Sequence, residues 1–444
     1  MGQLRLMGCG LLALALWAIG PARAQVATPD TNFLYGAEPA EIAAPPVITP
    51  QLFDELPRSK PQRPRVDPDK VTGFDDGAFQ LKPSLGIGTV ITNNVNLSPA
   101  NRKADIGLEL KPSLAFQSEW PRHNWRGTVN AEWLHYLANP SADTLTGAAE
   151  TTFRLDIRHT TYADFTANAN VTSTSAGVAE VPNAAVGRRQ DWNLGTSAAI
   201  NHDFGPMQGQ LKLGVIRQAY GNVALSGGGI ENNADRAYVE PSLSLRDTWG
   251  SPAARLKPYV ELTYDPRIHD TPVDRNGQKR NSQGVGAALG VTLQDGPIWT
   301  GDFSANFIAR SYDDPALKTA MAVGLNGSLT WSPTPLWNVV ASSGVGLTES
   351  ELAGVSATPS WNVGLNASYA VRDNITLRAG ATAILTNNGS TGLDTTWQAA
   401  TGAEWQLNPY LSLSGTLQST WFNAAAASSS YDEQRATVAV VVKP

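Results

Sequence analysis

From Phe79 to the end of the chain, apolar and polar residues alternate at period two. In DIGLELKPSLAFQ (105–117), Ile106, Leu108, Leu110, Pro112, Leu114 and Phe116 share one face, while Asp105, Glu109, Lys111, Ser113 and Gln117 share the other. Successive side chains of an extended strand point to opposite sides, so this segment has one oily and one wet face. The same alternation recurs in FRLDI (153–157), QLKLGV (210–215), AYVEPSLSL (237–245), RLKPYVELTY (255–264), VGLNGSLTW (323–331), WNVGLNASY (361–369), ITLRAGATAIL (375–385) and LSLSGTLQSTW (411–421). It predicts eighteen strands, at about 79–91, 105–120, 125–137, 147–159, 161–171, 189–204, 208–220, 233–247, 255–265, 282–293, 299–312, 317–331, 336–348, 360–371, 375–386, 395–406, 411–421 and 434–443. Most reach the roughly 9–11 residues that a tilted strand needs to cross a hydrocarbon layer.

The connections alternate in length. PRHN (121–124), HT, GPM, SPTP, RDN and LNPY read as tight turns, whereas 92–104, 172–188, 221–232, 266–281, 349–359 and 422–433 are long. Transmembrane barrels have this asymmetry, with short periplasmic turns and longer extracellular loops. The expected fold is an all-β, transmembrane, antiparallel up-and-down barrel. Because the first connection is long and the strand count even, both termini are expected in the periplasm.

Tryptophan placement is an independent test. Trp120 and Trp125 flank one short turn, Trp331 and Trp337 flank another, and Trp249, Trp299 and Trp405 lie in or near others. Trp133, Trp192, Trp361, Trp397 and Trp421 sit at strand ends beside long loops. Two levels of tryptophan are what aromatic girdles at two headgroup regions require. A soluble β-sandwich or propeller, the competing fold, has no reason to sort them so.

The N-terminal segment fixes the compartment. Arg5 precedes the apolar run LLALALWAIG (11–20), and Ala22-Arg23-Ala24 forms a small-x-small cleavage site before Gln25. Residues 1–24 therefore read as a secretory signal peptide, too short in its apolar run to anchor as a helix. No apolar run precedes Cys9, which excludes a lipoprotein site; Cys9 is the only cysteine, so no disulfide or thiolate metal site follows it. Residues 25–74 form a Pro-rich leader expected to be disordered. It is either a tether or a periplasmic docking or plug segment, the latter suggested by Leu52, Phe53 and Leu56 beside Arg58 to Arg65. The barrel then occupies 75–444. No later stretch holds 18 consecutive apolar residues, which excludes transmembrane helices. The net charge of −6 argues against nucleic acid as a partner.

Catalytic chemistry finds little support. His123, His135, His159, His202 and His269 share no motif with a serine, and Asp156 with His159 lies beside a tight turn. Asp313-Asp314 and the acids of 265–274 fit no twelve-residue calcium loop, so neither a metal nor a cofactor is expected. The lumen is more informative. The alternation turns Arg126, Glu132, Arg154, Asp156, Arg158, Lys212, Arg236, Glu240, Arg246, Arg255, Lys257, Glu261, Asp302 and Arg310 inward, all on strands three to eleven. Strands twelve to eighteen present Gly, Ser, Thr and Asn, with Arg378 and Glu404 as exceptions. One wall is thus charged with both signs and the other is neutral and polar. Wall charge needs water or a partner, which an open channel or an ion-paired plug would each supply. Tyr136, Tyr162, Tyr220, Tyr238, Tyr259 and Tyr312 also point inward. Tyr238 and Tyr259, amid Arg236, Glu240, Lys257 and Glu261, are either a stacking surface for carbohydrate or space-filling members of polar networks.

The first strand and its exit, FQLKPSLGIGTVITNNVN (79–96), run from a Pro-containing strand into an Asn-rich loop. They resemble the opening of the putative β-barrel porin type 2 family of proteobacteria. LKPSLAFQSEWPRHNWRGTVNAEW (110–133) is similar to that family in its strand-turn-strand rhythm. The resemblance covers roughly 79–444 and includes no catalytic signature. It implies an outer-membrane barrel of a Gram-negative cell, and some members accompany polysaccharide secretion systems. Such barrels usually end in an aromatic residue read by the insertion machinery, whereas this chain ends Val442-Lys443-Pro444. The expected function is passive passage through a pore, with export of an extracellular polysaccharide ranked first. A general diffusion porin and a non-conducting structural or docking barrel are the alternatives. Expected partners are outer-membrane lipid and lipopolysaccharide, the barrel insertion machinery and a periplasmic polysaccharide-export protein.

Overall fold

The computed structural model describes residues 73–443 except 76, 176–180, 183, 252, 297, 351, 388–391 and 426–429. The signal peptide and nearly all of the leader lie outside the described residues. Eighteen long strands follow one another: β1 (Phe79–Thr92), β2 (Asp105–Ser118), β3 (Asn124–Tyr136), β4 (Thr144–Arg158), β5 (Thr161–Thr174) and β6 (Arg189–Asp203). Then come β7 (Met207–Tyr220), β8 (Tyr238–Trp249), β9 (Leu256–Tyr264), β10 (Ser282–Asp295), β11 (Trp299–Tyr312) and β12 (Ala320–Trp331). The last six are β13 (Trp337–Thr348), β14 (Thr358–Arg372), β15 (Ile375–Asn387), β16 (Leu393–Asn408), β17 (Leu411–Asn423) and β18 (Tyr431–Val442). Each pairs antiparallel with the next, and β18 closes on β1 from Leu85↔Val442 to Thr92↔Arg435. Closure removes the free edges that an open sheet would present to lipid.

Period two sorts the side chains as the sequence predicts. Leu243 and Leu245 on β8, Leu289 on β10, Val323 and Leu325 on β12 and Val363 and Leu365 on β14 are exposed on the outside. Their neighbours Ser242, Ser244 and Ser304 are buried on the lumenal side. Short hairpins join even to odd strands; in β6–β7, Phe204 N donates to Met207 O at 2.8 Å, and Gly205 takes the left-handed φ of 95° that this turn needs. Bulges at Asp156/Arg158, Ala370/Arg372 and Gln406/Asn408 all sit at this short-turn end.

The long loops are built rather than merely long. Ala185–Val186, Val223–Leu225 and Ile230–Glu231 form a small three-stranded sheet above the barrel. Ile268–His269 pairs back onto β8 at Tyr238 and Val239, taking over where β9 stops at Tyr264. The eighth strand begins five residues later than its pattern predicts, because Ala234–Arg236 makes a 3-10 turn. Asn94 and Val95, after β1, are fully buried; Val95 packs with Val90, Leu134, Tyr136 and Ala142, and Asn94 donates to Asp432 O at 2.8 Å. Phe74–Asp75, at the end of the predicted leader, pairs with β1.

Candidate lumen site

Among the described residues, the lumen gathers the most polar and charged side chains on one surface, and many of its charges are paired. On β2 and β3, Lys111 bridges Glu109 (3.1 Å) and Glu132 (3.4 Å). On β4 and β5, Arg154 grips Asp164 through Nε at 2.8 Å and Nη2 at 3.2 Å, and lies 4.3 Å over the Tyr162 ring. On β8 to β11, Arg246 bonds Asp302 at 2.5 Å and covers Tyr259 at 3.5 Å, while the Tyr259 hydroxyl donates to Asp302. Bidentate and charge-assisted pairs of this kind hold side chains in one geometry.

The densest network lies toward the long-loop end. Arg310 reaches Asp265 (2.6 Å) and Glu240 (3.2 Å); Arg267 bonds Glu240 and, at 2.6 Å, Glu349. Tyr312 OH also donates to Glu349, and Arg267 stands 4.9 Å over the Tyr238 ring, with His269 against the same tyrosine. All these charges are buried, so each depends on the others for the solvation that water would give. Outside the spanning strands, hydrogen bonds from Arg275 hold the Asp235 carboxyl below the usual carboxylate range, and Arg217 does the same for Asp270.

The opposite wall is different. The lumenal rows of β14 to β17 carry Asn362, Ser368, Thr396, Gln398, Thr416 and Gln418, all half-buried, with Asn366 and Thr382 between them, whose Oδ1 and Oγ1 are buried. Its charge is sparse: Arg378 (2.9 Å) and Lys443 (3.2 Å) both meet Glu404 near the short-turn end, and Asp394 stands at the long-loop end, where it accepts from Ala425 N at 2.7 Å.

Most residues expected to line the lumen occupy the inward rows: Arg126, Arg154, Lys212, Tyr238, Glu240, Arg246, Lys257, Tyr259, Glu261, Arg310 and Arg378. Three do not sit where the alternation puts them. Arg158 follows a bulge and stands opposite Thr161, on the outward row with His202. Arg255 precedes β9, is largely exposed at the rim and pairs with Asp295 at 3.2 Å. Arg236 belongs to the 3-10 turn before β8 and stacks on Tyr220 at 4.1 Å. Nor are Tyr238 and Tyr259 open faces: both are 4% exposed and carry arginines on their rings.

Trp120, Trp125, Trp133, Trp192, Trp331, Trp337, Trp397, Trp405 and Trp421 are exposed on the outer surface, and Trp299 stacks on Trp331. Phe79, Phe116, Trp120, Trp125 and Phe153 make a continuous edge-to-face cluster at the short-turn end. Trp361 is the exception. It packs with Ile308, Ala320, Ala322, Val345 and Leu347 inside the wall.

Glu109 and Lys111 belong to the wet face read from the alternation of 105–117, although their pairing was not. Asp164, Glu433 and Arg435 went unread in the sequence; they stand on inward rows that the alternation already marks, so the same parity argument finds them. Glu433 and Arg435 also extend the charged wall onto β18, which was expected to be neutral. Arg267 and Glu349 lie in loops, where period two carries no information.

The family model described as "Putative beta-barrel porin 2" matches residues 67–444. No protein of curated function matches the sequence. Among solved structures, the chain is similar to the outer membrane protein opdK from Pseudomonas aeruginosa, at 10% identity and TM-score 0.39, covering 82% of this chain and 99% of that one. It is also similar to the outer membrane channel DcaP of Acinetobacter baumannii, at 12% identity and TM-score 0.40, covering 84% of this chain and all of the other (100%). A structure titled "Bacterial polysaccharide outer membrane secretin" matches at 10% identity and TM-score 0.31, over 82% of this chain and 98% of that one. The chain belongs to the putative β-barrel porin 2 family, as an eighteen-stranded, porin-like β-barrel of the outer membrane.

Proposed function

We propose that this barrel is a passive conduit through which an extracellular polysaccharide is exported, with its short turns and both termini in the periplasm. The observation that carries the reading is the division of the lumen. The mixed-charge wall is largely consumed by its own ion pairs, whereas the half-buried Asn, Ser, Thr and Gln rows of β14 to β17 face the remaining space. Neutral donors and acceptors at strand spacing suit a hydroxyl-rich chain, because many weak, exchangeable hydrogen bonds hold a polymer without trapping it. Tyr238 and Tyr259 serve as braces for the charged wall rather than as a stacking surface. No catalytic residue and no cofactor belong to this proposal. Lipid and lipopolysaccharide surround the outer apolar rows, and the leader at 25–74 recruits a periplasmic export protein.

The test combines two measurements. Reconstituted in planar bilayers, the protein should conduct with little preference between small cations and anions, since few lumenal charges are left unpaired. In cells, replacing Ser368 and Gln398 with Trp should narrow the neutral wall and lower secreted polysaccharide several-fold at unchanged barrel abundance. Normal conductance with unchanged polysaccharide output in a deletion strain would leave a general diffusion porin. Absence of conductance, even with residues 26–73 removed, would leave a structural barrel.

A further inference from the structure

The β12–β13 ladder holds five residue pairs, Gly327 to Trp331 against Val339 to Ser343, whereas the ladders on either side hold twelve each. Beyond Ser343, β13 leaves the line of the wall and passes inside β12. Row parity establishes this. Val345 and Leu347 belong to the outward row of β13, and Trp361 shares the outward row of β14 with Val363 and Leu365. Yet Val345, Leu347 and Trp361 pack against Ile308, Ala320 and Ala322, which are lumenal residues of β11 and β12. An outward row can meet a neighbour's inward row only where the first strand lies inside the second.

The overlap has its own fittings. At Gly324, a Cβ would come within 2.8 Å of Val345 Cβ and 2.9 Å of Trp361 Cδ1, so glycine makes the room. Side chains replace part of the lost ladder: Ser343 Oγ donates to Leu325 O (3.0 Å), Val345 N to Asn326 Oδ1 (2.6 Å) and Trp361 Nε1 to Val323 O (2.8 Å). Beyond the overlap, Arg267 and Tyr312 hold Glu349, and Arg280 donates to Leu352 O and Val355 O.

The sequence describes a second position for the same segment. Continuing the register of Gly327↔Ser343 would set Ala322 opposite Thr348 and return Val345 and Leu347 to the outer surface beside Leu325 and Val323. Trp361 would then join the exposed tryptophans. We propose that the end of the β13–β14 hairpin is a gate, narrowing the long-loop mouth when tucked and widening the lumen when it rejoins the wall. For Val345, Leu347 and Trp361, apolar contacts inside the wall are traded for contacts with acyl chains, which are equally apolar, and side-chain hydrogen bonds are traded for ladder bonds. Ile308, Ala320 and Ala322 would lose their cover, and this loss and the attachments of Glu349 bias the equilibrium toward the tucked state.

Only the consequence for flux rests on the conduit reading; the movement is tested separately. Ala322→Cys with Thr348→Cys places thiols on facing strand positions of the rejoined wall, at a spacing a disulfide can span. In the tucked state β13 itself lies between them. Ser328→Cys with Ser342→Cys, partners in the observed ladder, is the control; the chain's one natural cysteine, Cys9, precedes Gln25. In the full protein reconstituted in lipid vesicles, the control should cross-link fully under mild oxidation and the 322/348 pair slowly. Adding Gly324→Ala or Glu349→Gln should speed the 322/348 reaction at least several-fold, and the cross-linked channel should conduct more than its reduced form. A 322/348 pair that never cross-links, with either addition and with a working control, overturns the movement. Cross-linking without any change in conductance overturns its role as a gate.

Discussion

At the scale of single residues, the two faces of one strand obey different physics. Leu243 and Leu365 are 39% and 52% exposed on the outer surface. Arg at either site would put a charge into hydrocarbon and should cost about 2–4 kcal/mol near the midplane, measurable as lowered resistance to denaturant and poorer insertion into vesicles. Ser244 is a poor comparison, being buried against Thr263 at 2.9 Å; Ser368→Arg, on the half-buried neutral wall, should insert normally. Equal behaviour of Leu365→Arg and Ser368→Arg would invert the assignment of faces. Arg310 makes a second case. It is 1% exposed between Asp265 and Glu240, so Arg310→Ala strands buried carboxylates and should cost about 3–5 kcal/mol. Arg310→Lys should recover part of that, since it keeps the charge and loses only the fork. Parity made Arg310 legible in the sequence. Its partner Asp265 was seen only as loop acidity, because strand pairing past Tyr264 depends on a return segment, Ile268–His269, that shows no alternation.

At the scale of elements, the strands were legible because each carries its own signal: oily and wet rows, bounded by turn residues. The departures come from elements that answer to something other than that pattern. Bulges shift parity by one and carried Arg158 to the wrong row; a 3-10 turn displaced Arg236; and the hairpin of β13 and β14 buries a row written for lipid, taking Trp361 with it. Loop order also lay beyond the sequence, since it rests on contacts between segments far apart along the chain. Arg275 ties its own loop to the one before β8, bonding Asp235 (2.7 Å) and Glu231 (2.9 Å), and its backbone N–H donates to Asp235 as well. Because the Asp235 pKa is depressed, the tie is fully present above the ordinary carboxylate pKa of about 3.9 and is lost as pH falls through the lower folded value. Amide exchange at 231–236 and 274–276, corrected for intrinsic rates, should therefore stay protected at pH 5 and lose protection only in stronger acid. Asp235→Asn should loosen both segments at pH 5 and above, and protection that faded between pH 7 and 5 would assign the tie to some other group.

At the scale of the whole molecule, closure was legible and filling was not. Eighteen strands alternating between short and long connections leave little choice but a barrel whose first and last strands meet. How much of its interior stays open depends on loops folding inward, as Val95 does beneath Tyr136, and on charges finding partners across several strands. The proposed orientation rests on the same asymmetry and can be tested directly. The loop between β7 and β8 turns in the open: Gly228 and Gly229 take left-handed φ of 84° and 92°, and Ile230 is 70% exposed. A short epitope inserted after Gly228 would meet no neighbouring side chain, so it should leave the barrel intact, whereas 266–281 is bound to the β13–β14 loop through Arg280 and Gln278. If the long loops face outward, antibody added to intact cells should label the Gly228 epitope, and an epitope after Gln25 should be labelled only after the outer membrane is permeabilised. The reverse result would turn the molecule over, placing the ion-paired mouth and its hairpin in the periplasm and the Phe79–Trp120–Trp125 cluster at the outer headgroups. Labelling of both epitopes on intact cells would separate the leader from the periplasm and remove it as the site of partner recruitment.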